Sequence, residues 1–189
     1  MRIGFIRHGS TLWNKEKRAQ GSSDIHLDEQ GRRDAAKLGE SLLNEEWDMI
    51  VSSDLSRAKE TAEIIGRFLH IDVKTDPRLR EAGGGQIEGT TEQERIEKWG
   101  ENWRELDLGI EKEERVVARA HEALNDLHQQ YPGQNILIVS HGSFLRHFFK
   151  STLPELNHEK HIVNTSLTVL RRKGDEWLNE LYHSTSHLD

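Results

Sequence analysis

The chain contains no cysteine, which excludes disulfides, thiolate nucleophiles and cysteine-ligated metal sites. Any covalent chemistry must use another nucleophile. It also lacks any run approaching the roughly 18 consecutive apolar residues of a membrane span, and strand-like sequence starts directly after Met1, leaving no room for a signal peptide. A cytoplasmic protein with no membrane partner is therefore expected. Positive charge is in deficit too: 26 Lys and Arg against 33 Asp and Glu give a net charge of −7. That argues against the broad basic face a nucleic-acid partner requires. An anionic ligand would need a local cationic pocket.

What is present is an ordinary globular composition, 189 residues at 34% hydrophobic and 31% charged, enough for one sizeable core and read as one domain over 1–189. Apolar runs of strand length alternate with helical periodicity, the pattern of an α/β domain with a mostly parallel sheet. The runs are Ile3 to Ile6, "DMIVSS", a weak "IDVKT" and "NILIVS", followed by two terminal strands, "SLTVLRR" and "EWLNELYH", joined at Lys173-Gly174-Asp175.

Helical stripes fall between the strands. Ala35, Leu38, Leu42 and Leu43 mark one within "LDEQGRRDAAKLGESLLNEE"; Leu55, Ala58, Ala62, Ile65 and Leu69 mark a second. Val116, Ala120, Leu124, Leu127 and Tyr131 mark a third, stopped by Pro132-Gly133, and a fourth starts near Ser143. Between them, "AGGGQIEGTTEQE" reads as a loop and the charged stretch from Thr91 to Glu114 as one or two solvent-facing helices. No repeat, linker or low-complexity tract interrupts the pattern.

Ligand crevices of open α/β sheets lie beyond the carboxyl ends of the strands. Three strand ends carry chemistry here: "GFIRHG" ends in Arg7-His8-Gly9, "MIVSSDLSRA" leads to Arg57, and "LIVSHG" ends in His141-Gly142. The glycines are expected to let backbone approach a ligand. With Ser53 or Asp54 as N-cap, Arg57 falls in the first helical turn, where the helix dipole disfavours a cation. An anion reconciles these positions, because phosphate suits both helix N–H groups and a bidentate guanidinium.

These blocks, "RHG", "SSDLSRAKETAE", "LREAGGGQIEG" and "VSHG", resemble in sequence and order the histidine phosphatase superfamily, or phosphoglycerate mutase-like family, over most of the chain. Thr11 and Asn14 in "STLWN", Gln20-Gly21 and the "LDEQG" opening the first long helix add to the likeness. The resemblance implies a three-layer α/β/α fold and metal-independent hydrolysis of small phosphate monoesters from a phosphorylated metabolite. It implies His8 as the nucleophile that becomes a phosphohistidine, with Arg7, Arg57 and His141 on the phosphate oxygens. Glu81 would protonate the leaving oxygen and later deprotonate water. Asn14, Gln20, Gly21 and Gly142 would line the phosphate pocket. No cofactor is called for, and the oligomeric state is not specified.

The chemistry fits those roles. A nucleophilic imidazole must be neutral, with its other N–H anchored so that the reactive nitrogen faces phosphorus. Surrounding cations keep it so and neutralise the equatorial oxygens in flight. The plainer reading of Glu81 is an ion pair with Arg78 or Arg80.

Ser10 stands where many relatives have an acid, and Ile87 where a tryptophan is common. Both bear on specificity. The segment from Thr91 to Arg115 is short and acidic beside the basic insertion of true mutases, favouring hydrolysis over mutase transfer. A non-catalytic phospho-ligand-binding domain is the remaining alternative. The His158/His161 and His183/His187 spacings lack a third metal ligand. Trp99 and Trp103 are expected to pack or to form part of a lid.

Overall fold

A computed structural model describes every residue except Lys160 and Asp175. Its centre is a six-stranded sheet of β1 (Arg2–Arg7), β2 (Met49–Ser52), β3 (Val73–Thr75), β4 (Asn135–Ser140), β5 (Leu167–Lys173) and β6 (Glu176–Ser184), in the order β3-β2-β4-β1-β5-β6. The β3-β2, β2-β4 and β4-β1 pairings are parallel, and β5 and β6 close one side antiparallel. The helices are a single turn, α1 (Leu12–Lys15), then α2 (Glu29–Ser41), α3 (Ser56–Leu69), α4 (Glu92–Trp99), α5 (Glu113–Gln130) and α6 (Gly142–Thr152). No helix among the described residues is long and apolar enough to cross a membrane.

The strands read as continuous apolar runs because both sheet faces are covered. Side chains alternate along a strand, so Ile3, Phe5, Ile136 and Ile138 face one way and pack with Val116, Ala120 and Leu124 of α5 and Phe144, Phe148 and Phe149 of α6. Their neighbours Ile6, Leu137 and Val139 face the other way, against Leu38 of α2 and Ala58, Ala62 and Ile65 of α3. Two cores on opposite faces make the expected three-layer α/β/α arrangement.

Three local expectations change. The first long helix stops at Ser41, so Leu43 falls outside its stripe and is 52% exposed. Helix α3 is entered through Leu55, not Ser53 or Asp54. Asp24 from a distant loop accepts the Ser56 N–H (2.7 Å) and hydroxyl (2.8 Å), while Ser53 and Asp54 are engaged with His141 and Arg80. The charged middle segment holds α4 and a 3-10 turn (Trp103–Glu105), but it is not all solvent-facing. Trp103 is buried, donating to Glu92 (3.0 Å), with the Arg95 and Arg104 guanidinium groups 4.9 and 4.3 Å from its ring centroid. In the terminal hairpin Gly174 has φ of +63°, whereas Asp175 lies outside the described residues.

Candidate active site

The carboxyl ends of β1, β2 and β4 meet at one edge, as the parallel pairing of Arg7 with Ser140 and of Ser52 with Val139 requires. Beyond them lies a cavity of about 450 Å³. Of the residues singled out in the sequence, Arg7, His8, Asn14, Gln20, Arg57, Glu81 and Gly142 line it. His141 and Gly21 do not. The His141 ring sits behind, fully buried, with its centroid 5.2 Å from that of His8.

His8 is 2% exposed, and its Nδ1 lies 2.7 Å from the Gly9 carbonyl oxygen. A carbonyl only accepts, so Nδ1 carries the proton and Nε2 keeps its lone pair. No described residue bonds Nε2. Burial, then the charges of Arg57 and Arg7, hold the His8 pKa well below the usual imidazole range, which keeps the ring neutral. His141 is held low by burial first, then by Arg57 and His8; its Nε2 meets Ser53 Oγ at 2.8 Å.

The two arginines are buried cations held by carbonyls rather than carboxylates. Arg7 Nη1 donates to Ile162 O (2.5 Å) and to His161 Nε2 (2.9 Å). Its pKa falls to about 10, chiefly through burial, with Glu81 opposing and Arg57 adding to the drop. Arg57 donates from Nη1 to Ser23 O (2.6 Å) and from Nη2 to Gly21 O (2.8 Å). Burial lowers its pKa as well, against the charges of Glu81, Asp24 and Glu88. Arg7 Nε, Arg57 Nε and His141 Nδ1 are three of the nine buried side-chain polar atoms without a partner among the described residues. Such a concentration of unpaired polar atoms beside two buried cations suits an anionic guest.

Glu81 is not paired with Arg78 or Arg80, whose partners are Asp76, Glu122, Asp126 and Asp54. Its Oε1 accepts the Ala82 and Phe144 N–H groups (both 2.8 Å) and Oε2 accepts Ser143 N–H (3.1 Å), so the carboxyl group sits on the first turn of α6 at the cavity wall. Asn14 Oδ1 closes a capping box with Thr11 at the start of α1, and Gln20 Oε1 takes the Thr11 hydroxyl (3.0 Å). Thr11 thereby orients both amides at the wall.

The two glycines after the strands stand where a side chain would crowd its neighbours, and Gly142 lines the cavity as well. A Cβ on Gly9 would lie 2.6 Å from the Gly31 carbonyl of α2, and one on Gly142 would lie 3.2 Å from Arg7 Nε. Gly21, at φ +49°, positions Arg57 through its carbonyl instead of touching the cavity.

Sequence reasoning missed several lining residues, among them Lys17, Arg18, Arg95, Arg146 and His161. Arg18 and Arg95 are engaged by Glu94, Glu16 and Glu92. His161 was legible only as a spacing with His158, yet the two take different partners: His158 bonds Leu153 O and Tyr182, while His161 faces Arg7. Neither Trp99 nor Trp103 lines the cavity, although Trp103 stacks on Arg95, which does.

A profile of the histidine phosphatase superfamily (branch 1) matches residues 3–185. The chain is 33% identical to the uncharacterized phosphatase PhoE of Bacillus subtilis (strain 168), over 98% of this chain and 96% of that protein. It is also 33% identical to the probable phosphoglycerate mutase GpmB of Salmonella paratyphi A, over 100% and 95% of the two chains. Among solved structures, a mycobacterial glucosyl-3-phosphoglycerate phosphatase with VO3 superposes with a TM-score of 0.85 at 29% identity, covering 96% of this chain and 98% of that one.

Proposed function

Because the chain belongs to the histidine phosphatase superfamily, branch 1, and with it to the phosphoric monoester hydrolases, we propose that it hydrolyses small phosphate monoesters without a metal ion, through a phosphohistidine on His8. The observation that carries the reading is the pinned tautomer, with Nδ1–H on the Gly9 carbonyl and Nε2 unprotonated, on a ring that lines the same cavity as two buried arginines.

In the first step the Nε2 lone pair attacks phosphorus in line, the P–O bond to the leaving alkoxide breaks, and Glu81 passes its proton to that oxygen. In the second, Glu81 takes a proton from water, whose oxygen attacks phosphorus and displaces His8 as the neutral imidazole. Inorganic phosphate leaves and Glu81 is again protonated. Arg7 and Arg57 neutralise the non-bridging oxygens in both steps, and buried charges act more strongly there than in water. His141, buried behind His8 with an Nδ1 that has no partner among the described residues, is a further group that would meet a phosphate oxygen from beneath the cavity floor. Asn14, Gln20 and Gly142 shape its cradle, and Gly21 holds Arg57.

Hydrolysis, rather than transfer back to a second substrate, is favoured by the segment from Thr91 to Arg115. It carries nine acidic residues against five basic ones, and two of the basic ones, Arg95 and Arg104, are tied to Glu92. Relatives bear both phosphatase and mutase names, so the names alone do not choose. The test is phosphate release from a panel of phosphomonoesters in EDTA, with His8→Ala alongside. Release that survives EDTA and vanishes in the variant is expected; release that persists in His8→Ala overturns the assignment.

A further inference from the structure

Arg57 is clasped by the carbonyls of Gly21 and Ser23, so whatever fixes that loop fixes the guanidinium. One end of the loop is tied to α3, where Asp24 caps Ser56 immediately before Arg57. The other end is tied to Glu88, in the glycine-rich "GGGQIEG" stretch, to which the mechanism above gives no role. Glu88 Oε1 accepts the N–H groups of Ser22 (2.7 Å) and Gly84 (2.9 Å), and Oε2 accepts the Ser23 hydroxyl (2.8 Å). Gly21 lies so close that a Cβ there would be 2.1 Å from Glu88 Oε1. Burial alone would push the Glu88 pKa up, yet these donors hold it below the usual carboxylate range.

We propose that Glu88 is a positioning residue that locks loop 21–23 and thereby aims Arg57 at the transferring phosphoryl group. This rests on the reading of Arg57 as a phosphate-binding residue. A guanidinium has five N–H donors. With the loop in place two of them are spent on carbonyls, while Nε–H, buried and without a partner among the described residues, is the donor left for a phosphate oxygen that fills the cavity. Released from Glu88, the loop carbonyls drift and the guanidinium follows them. The charge of Glu88 adds a second effect, since it is one of three carboxylates that oppose the loss of the Arg57 proton on burial.

The experiment is a double-mutant cycle with Glu88→Gln, Arg57→Lys and the pair, read as kcat, KM and the Kd of inorganic phosphate by equilibrium dialysis. Glu88→Gln alone is expected to weaken phosphate binding and kcat/KM by roughly 10- to 100-fold, taking as a guide the cost of losing a residue that orients a metal ligand from the outer shell. In the Arg57→Lys background the same change is expected to cost less than about threefold, because the geometry it protects is already gone. Equal fold-losses in both backgrounds would overturn the proposal and leave Glu88 a general support of the loop. A wild-type-like Kd and kcat/KM in Arg57→Lys and in Arg57→Ala would instead overturn the role of Arg57 itself. Thermal unfolding of each variant separates loss of fold from loss of aim.

Discussion

Acidification should destabilise this protein in proportion to the two buried imidazoles at its centre. His8 and His141 are 2% and 0% exposed, and both have pKa values well below the ordinary one, chiefly through burial. A depressed folded pKa means the unfolded chain takes up protons that the native state refuses. The stability these groups contribute is present above about pH 6.5 and is lost as pH falls towards their folded values. For an unfolded pKa of about 6.5 and a ring that stays neutral when folded, going from about pH 6 to about pH 5 costs about 1.2 kcal/mol per histidine, about 2.4 for the pair. Other partly buried histidines, such as His121 and His183, titrate in the same direction. The comparison with variants isolates the pair. Urea unfolding at both pH values should show His8→Gln and His141→Gln each losing about 1.2 kcal/mol less than wild type over that interval. On the proposed role of His8 the same neutral ring sets activity, so in Arg57→Met, which removes the largest charge effect on His8, the acid loss of kcat/KM should begin at higher pH. The ester's own second ionisation, near about pH 6, acts on both enzymes alike and divides out of the ratio of the two profiles, in which the shift is read as a relative loss that grows as pH falls. An equal acid loss in wild type and both glutamine variants, or a variant-to-wild-type ratio that stays constant with falling pH, would strip the two rings of these roles.

Further outcomes follow from the same geometry. Glu81→Gln should lower kcat on alkyl phosphates by about 10²- to 10⁴-fold and accumulate phosphorylated enzyme with p-nitrophenyl phosphate, whose leaving group needs no proton; rapid-quench trapping checks this, and an unaltered kcat counts against Glu81. Gly9→Ala forces a Cβ within 2.6 Å of the Gly31 carbonyl, and chemical denaturation should show a loss of about 1–3 kcal/mol. Trp103→Ala should cost about 3–5 kcal/mol from a packed site, whereas Trp99→Ala should leave KM unchanged because Trp99 does not reach the cavity; a raised KM in Trp99→Ala would revive the lid.

Much of the architecture is legible without coordinates. The strand β4 coincides with "NILIVS", and β1 extends the expected Ile3 to Ile6 run by one residue at each end, because a strand covered on both faces needs an unbroken apolar run, which few other segments of this polar chain contain. The placement of His8, Arg57 and His141 just beyond strands follows from the same alternation. Boundaries governed by distant partners are not legible: α3 is capped by Asp24, some thirty residues upstream, so the nearby Ser53 and Asp54 mislead.

The order of layers and the chemical types brought to the sheet edge thus follow from the linear chain, since both depend on periodicity and on residues adjacent to strands. Which atoms act together emerges only on folding. The His8 tautomer depends on where the Gly9 carbonyl points, and Glu81 rests on the first turn of α6 instead of pairing with its neighbours. Arg57 takes its aim from a loop that is itself pinned by Glu88. His161 joins Arg7 across 154 positions of chain. Local patterns report which face a residue presents; hydrogen bonds between remote segments exist only once the parallel crossovers have stacked the strand ends side by side.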